Sequence, residues 1–279
     1  MLKRLALVIF LLCSAAAAMA QEEATVQPQT PDSLSFAKLD GMLEKYTAAI
    51  SQESFDTKMA ECDFLISSVH DSLTTQHIAL WLYDHYRESE LMGDEAVAIH
   101  IYDDWFKPGT IEMRSQYDRF DADLFASFNR STLLGMKAPE VTLQTPCGRK
   151  IKVPEEGSHS ILFFYDTSCG KCQLTAQVLP SVLEEITFPT RFYAVYCGHD
   201  KKEWSKFRCK FRVRNKKVGI VHAWDPEVAS DYIRLYGVMS TPRLYFTDTD
   251  GEILGRRLEV ESLKEIIHYI CEYYGQKEN

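Results

Sequence analysis

Apolar positions along the chain follow two different periods. In residues 31–134 they recur at three and four, as in Phe36, Leu39, Leu43, Tyr46 and Ile50, or Phe55, Met59, Cys62, Ile66 and Val69. Ile78, Trp81, Leu82 and His85 continue the pattern, followed by Val97, Ile101 and Trp105, and by Tyr117, Phe120, Leu124 and Phe128. That spacing places each set on one face of a helix and predicts about five helices with short connections. Asp94 stands where an N-cap belongs, and Gly135 where a helix would stop. Trp81, Trp105 and Phe128 read as core packing rather than as a ligand groove. His70, His77, His85 and His100 share no helix face at ligand spacing, so they read as ordinary residues and not as metal ligands.

From Met136 the period shortens. Residues 141–143, 151–153, 161–165, 192–196, 218–222, 243–246 and 252–255 read as strands. Helical patterns follow Cys169, His199 and Glu261. Strands alternating with helices predict a layered α/β domain. The expected fold class is a two-domain α+β/α/β chain, with an all-helical N-terminal domain over 32–134 and a sheet with flanking helices over 135–279.

The ends of the chain add a compartment. Lys3 and Arg4 precede an apolar stretch over residues 5–12, and Ala18-Met19-Ala20 precedes Gln21. This is the pattern of a cleavable signal peptide over residues 1–20. The stretch is short for a membrane span, which needs about 20 residues, and no later stretch is long and apolar enough for one. A lipid anchor on Cys13 is the alternative, but Phe10-Leu11-Leu12 lacks the small residue such a signal places there. Residues 21–31, with Pro28 and Pro31, read as a linker. The mature protein is therefore expected to be periplasmic or secreted, with no membrane span.

Eight cysteines are present, and Cys13 would leave with the signal. The remaining Cys62, Cys147, Cys169, Cys172, Cys197, Cys209 and Cys271 are too few for a disulfide-built scaffold. Two of them carry chemistry. The apolar run 161–165 leads through Asp166-Thr167-Ser168 into Cys169-Gly170-Lys171-Cys172, and Leu174, Val178, Leu179 and Leu183 then recur at helical spacing. Cys169 should sit at a helix start, with Cys172 one turn in. A helix N-terminus favours an anion, and thiolate is the reactive form of cysteine. A fall in pKa from about 8.5 to about 7 stabilises the thiolate by roughly 2 kcal/mol. Lys171 would add a nearby positive charge. Half a zinc site and a structural disulfide are the competing readings. Neither a second Cys-x-x-Cys nor a His pair at ligand spacing supports zinc.

Charge is uneven. Residues 31–135 hold 19 acidic and 8 basic residues, and residues 136–279 hold 19 and 21. Much of the basic charge lies from Lys201 to Lys217, interleaved with Phe207 and Phe211. A nucleic-acid partner conflicts with the formal net charge of −9 and the secretory N-terminus. The run reads either as a solvated face or as the dock for the acidic helical domain. Cys209 lies within it, either activated or paired with Cys197.

Four motifs occur in order: Gly135-x-x-Ala138-Pro139, the strand into Cys169-x-x-Cys172, Tyr236-Gly237-Val238-x-x-Thr241-Pro242, and Asp248-x-Asp250-Gly251. Together they resemble thioredoxin-like proteins of the TlpA/ResA type, secreted thiol–disulfide oxidoreductases. The resemblance covers about residues 135–277. It implies a thioredoxin-like sheet, Cys169 as the attacking thiol, Cys172 as the resolving thiol, and a cis Pro242 packed against the pair. Thr241 and Pro242 would receive the substrate chain as an added strand. Residues 32–134 are similar to the helical domain that precedes this module in some such proteins. The implied partners are protein thiols and disulfides and an unidentified redox donor, with no bound cofactor. Three positions depart from the pattern. Ser168 replaces the usual Trp, Phe163 a buried acid, and Thr175 a Glu that moves protons. Asp166 is either the substitute acid or a solvated turn residue. A peroxidase of the same fold would need Thr and Pro where Asp166 and Leu162 stand. A partner-binding protein that uses the fold only as a scaffold is the non-enzymatic alternative.

Overall fold

A computed structural model of the protein describes residues 33–277. The expected signal peptide and linker, residues 1–31, lie outside the described residues. The chain forms two compact units, Met1–Ile50 and Ser51–Asn279. In the first unit the described structure is one helix, α1 (Ser33–Ala49). The helices of residues 55–129 belong to the second unit, together with the sheet.

The second unit opens with α2 (Phe55–Ser67), α3 (Ser72–Arg87), α4 (Glu95–Ile101) and α5 (Gln116–Asn129). A π-helical turn, Tyr102–Phe106, continues α4. Ser54, Asp71 and Ser115 cap three of these helices, each side chain accepting an N–H from three residues on. Asp94 holds the N-cap position of α4, as expected, but its side chain accepts no N–H of that helix. Its carboxylate is buried, accepting from Lys58 Nζ at 2.6 Å and from Ser89 Oγ at 2.6 Å. A buried ammonium must be paired, and that demand outweighs the capping role.

Seven strands follow: β1 (Val141–Gln144), β2 (Lys150–Val153), β3 (His159–Tyr165), β4 (Thr190–Tyr196), β5 (Val218–Trp224), β6 (Arg243–Thr247) and β7 (Ile253–Arg256). They form one sheet in the order β2-β1-β5-β4-β3-β6-β7. β3, β4 and β5 are mutually parallel, and β6 and β7 add antiparallel at one side. The helices α6 (Gly170–Glu184), α7 (Lys201–Lys210), α8 (Tyr232–Leu235) and α9 (Val260–Lys277) fill the crossovers and the C-terminal end.

Alternation along β3 divides the core. Ile161, Phe163 and Tyr165 point to the face covered by Leu179 and Leu183 of α6, Trp204 of α7, and Leu263 and Ile267 of α9. Leu162 and Phe164 point to the other face, with Tyr193, Val195, Tyr232, Tyr236 and Tyr245. Covered on both sides, β3 is buried from His159 to Tyr165, which is why it reads as a continuous apolar run.

Three expectations are corrected here. Gly135 does not stop a helix: α5 and a 3-10 turn have ended by Thr132, and Gly135 adopts φ 78 where its N–H donates to the Ile253 carbonyl. The apolar stripe of α5 does not face a core. Tyr117 and Phe120 are 74% and 66% exposed, and the buried residues of that helix are Ala122, Ala126 and Asn129. Nor do the helices of residues 55–129 dock on Lys201 to Lys217. They meet the sheet on the Tyr245 face, where Arg256 of β7 is ion-paired with Glu95 and donates to Asn129 Oδ1 at 2.9 Å. At the same place Gly237 lies so close to the Phe128 carbonyl that a Cβ would stand 2.4 Å from it. The basic helix α7 packs on the opposite face. Exposed charges attract only within about 8 Å at physiological salt, so burial decides the contact.

Candidate active site

Cys169 ends the turn after β3 and begins α6. Its φ and ψ of −82 and 118 are extended, as a cap requires, and its sulfur accepts the Cys172 N–H at 3.2 Å. Seventy-two residues on, the Thr241–Pro242 bond is cis, as the resemblance implied, and the Thr241 carbonyl accepts from Cys169 Sγ at 3.3 Å. The structure thus brings Cys169, Cys172 and Thr241-Pro242 together.

The two thiols differ in acidity. Partial burial opposes ionisation of Cys169. Hydrogen bonds from the Cys172 thiol, the Cys172 N–H, the Thr241 side chain and the Lys171 N–H outweigh it and lower its pKa below the ordinary thiol value. Burial raises Cys172, as does its own hydrogen bond to Cys169, and together they push it up to about 11. A low-pKa thiol at the surface beside a high-pKa thiol beneath is the arrangement that sequential exchange needs.

Lys171 contributes its backbone N–H to this site. Its ammonium is paired with Glu259 Oε1 at 2.8 Å, on the exposed surface. The Asp166 carboxylate accepts the Ser168 N–H and Oγ, both at 2.8 Å, which fixes the turn before Cys169. Phe163 stacks on Tyr165 with ring centroids 5.1 Å apart, so an aromatic ring occupies the position where the resemblance leads one to expect an acid. Thr175 is buried one turn beyond Cys172.

All seven described cysteines are free, so the pairing of Cys197 with Cys209 is not formed. Cys209 is exposed on α7, whereas Cys197 follows β4, where its N–H donates to the Tyr165 carbonyl at 2.8 Å and burial lifts its pKa to about 12. His100, read above as ordinary, lies with Nε2 2.9 Å from Asp63 and Nδ1 3.4 Å from Asp104. These three are the one such group of metal-capable side chains among the described residues. Trp105 Nε1 also donates to Asp63 at 2.8 Å, and these polar contacts account for the cluster as a hydrogen-bonded one. No helix among the described residues is long and apolar enough to cross a membrane.

Residues 149–269 match the family model of the thioredoxin-like domain. No curated protein matches the sequence. Among solved structures, a thioredoxin-like protein from Bacteroides caccae is similar over 84% of each chain, at 13% identity and a TM-score of 0.62. The thioredoxin domain of a thiol-disulfide oxidoreductase from Bacteroides vulgatus aligns with 49% of this chain and 96% of its own, at 16% identity and a TM-score of 0.43. A thiol:disulfide interchange protein from Bacteroides sp. aligns over 50% and 90%, at 17% identity and a TM-score of 0.41. The sheet topology, the cysteine pair at the start of α6 and the family match agree: this chain carries a thioredoxin-like domain in a thioredoxin-like fold.

Proposed function

We propose that the protein is a thiol–disulfide oxidoreductase of the TlpA/ResA type, acting on protein substrates outside the cytoplasm. The observation that carries this reading is the geometry at the start of α6, where the Cys169 sulfur caps the helix, accepts the Cys172 N–H at 3.2 Å and lies 3.3 Å from the Thr241 carbonyl before the cis Pro242. The Cys169 thiolate attacks a substrate disulfide, forming one mixed disulfide and releasing one substrate thiolate. The Cys172 thiol then loses its proton and attacks Cys169. The mixed disulfide breaks, the second substrate thiolate leaves, and a Cys169–Cys172 disulfide remains. A donor of two electrons must reduce it again. Thr241-Pro242, beside Cys169, would receive the substrate backbone.

The compartment rests on residues 1–20 as a signal peptide, and the helical domain, residues 32–134, is taken to give way to the thioredoxin-like domain at residue 135. Steady-state reduction of insulin disulfides tests the activity. Wild type should reduce insulin with a chemical thiol as donor, and Cys169→Ser should lose this activity. Equal activity of the two proteins would remove Cys169 from the reaction.

A further inference from the structure

The basic run from Lys201 to Lys217 is left without a counter-charge by the fold. It holds nine basic residues and one acidic residue, in a chain of formal net charge −9. Among the described residues, Lys206 is the one cation of the run in an ion pair. Beside the run, between α6 and α7, lies an open groove of about 540 Å³, large enough to take side chains of another molecule. The groove opens towards Cys169. Asp166 and Thr167 line both the groove and a second hollow, which reaches Ser168 and Asp200. Its floor is aromatic, with the half-buried Phe207 stacked on Tyr165 at 4.1 Å. Charge changes sign along it. Near Cys169 the acids are engaged: Asp166 accepts from Ser168, Asp200 caps α7, and Glu203 holds Lys206 at 2.6 Å. At the far end Lys210 and Arg212 are exposed. Arg212 is steadied by Nη1 donating to the Arg208 carbonyl at 2.7 Å.

We propose that this groove holds an acidic arm of the protein that exchanges disulfides at Cys169, so that Lys210 and Arg212 select the substrate. The inference rests on the exchange reading above. The arm lays its carboxylates on Lys210 and Arg212 and an apolar side chain on Phe207, while its cysteine meets Cys169. The ten residues of α7 from Lys201 to Lys210 rise about 15 Å. An extended chain at about 3.3 Å per residue covers that distance in four or five residues. The site therefore favours an acid four or five positions from the reactive cysteine. An acid directly beside that cysteine would instead meet Asp166, Asp200 and Glu203. The chemistry is unchanged by this contact. Cys169 thiolate bonds to the substrate sulfur, the substrate disulfide breaks, and its other sulfur leaves with the electron pair. Complementary charge across the groove makes that encounter more frequent for one class of partner.

The test uses a neutral peptide whose single cysteine is activated as its 2-pyridyl disulfide. One form carries Glu at the fourth and fifth positions on either side of the cysteine, and the other carries Gln. Release of pyridine-2-thione by the reduced protein is followed by absorbance, and the rate with Cys169→Ser is subtracted to remove reaction at other thiols. At about 0.02 M salt the Glu peptide should react about fivefold faster than the Gln peptide, the scale of two exposed attractions. A ratio below about twofold overturns the proposal. The ratio should fall towards one at about 0.5 M salt, and a ratio indifferent to salt overturns it. Lys210→Gln/Arg212→Gln should abolish the preference, and Lys216→Gln/Lys217→Gln, which removes the same charge outside the groove, should keep it. Equal losses in both double variants would mean a diffuse surface field, and the groove assignment is then wrong. So it is if the peptides react alike while the protein sediments with phosphatidylglycerol vesicles, since the basic face would then be a lipid contact. If wild type releases pyridine-2-thione from neither peptide faster than Cys169→Ser does, the exchange reading itself is wrong.

Discussion

At the scale of the residue, the decisive feature is the difference between two sulfurs one helical turn apart. Cys169 is set against desolvation by donors from Cys172, Thr241 and Lys171. Alkylation of Cys169 by iodoacetamide should therefore reach its plateau at a pH below that of an ordinary thiol. Thr241→Val removes a hydroxyl donor and should move that plateau to higher pH, and an unchanged profile would take the Thr241 side chain out of the site. Most of this was legible in the sequence, because an apolar run, a polar turn and a helical pattern fix where Cys169 lies. The pairing of Lys171 with Glu259 was not, since 88 residues separate them and no local pattern links them. The positive charge expected beside the thiolate is tied up in that pair, and the peptide N–H groups of α6 do the stabilising instead.

Among the elements, β7 and the helices before the sheet are joined by one buried guanidinium. Arg256 is ion-paired with Glu95, donates to Asn129, and its N–H approaches Met92 Sδ at 3.3 Å. Arg256→Ala leaves Glu95 without its partner in a largely buried site. It should cost about 3–5 kcal/mol, the range for breaking a buried pair, read as a lower urea midpoint. Adding Glu95→Gln should recover part of that loss, and additive losses would show that the pair is not coupled. Periodicity located α5 correctly but assigned its stripe to a core. Tyr117, Phe120 and Leu124 do lie on one face, yet Ala122 and Ala126 are what pack, because the close approach of Gly237 to Phe128 leaves room only for small side chains. A helical pattern shows which residues share a face, and the partner decides which face is covered. The strands were read more reliably, because β3 lies between two parallel or antiparallel neighbours and must be apolar throughout.

For the whole molecule, charge asymmetry between the two halves was real but did not set their contact. The helices of residues 55–129 and the basic α7 lie on opposite faces of the sheet, and screened surface charge cannot overrule apolar burial. Charge acts instead within the core beneath α7. Burial, then Arg208 and Arg212, lower the pKa of His222 from 6.5 to about 4. A base depressed by folding leaves stability intact above pH 6.5 and removes it as pH falls towards 4, because only the unfolded chain takes the proton in that window. The urea midpoint of wild type should fall across this window, and His222→Gln should flatten the fall. The central claim is that one sulfur attacks and the other resolves. It is tested most directly by incubating Cys172→Ser and Cys169→Ser with a disulfide-bonded protein and mapping covalent adducts by mass. Cys172→Ser should accumulate a mixed disulfide on Cys169, since attack survives and resolution does not, while Cys169→Ser should accumulate none. An adduct that forms on Cys172 instead, or none with either protein, would contradict the account.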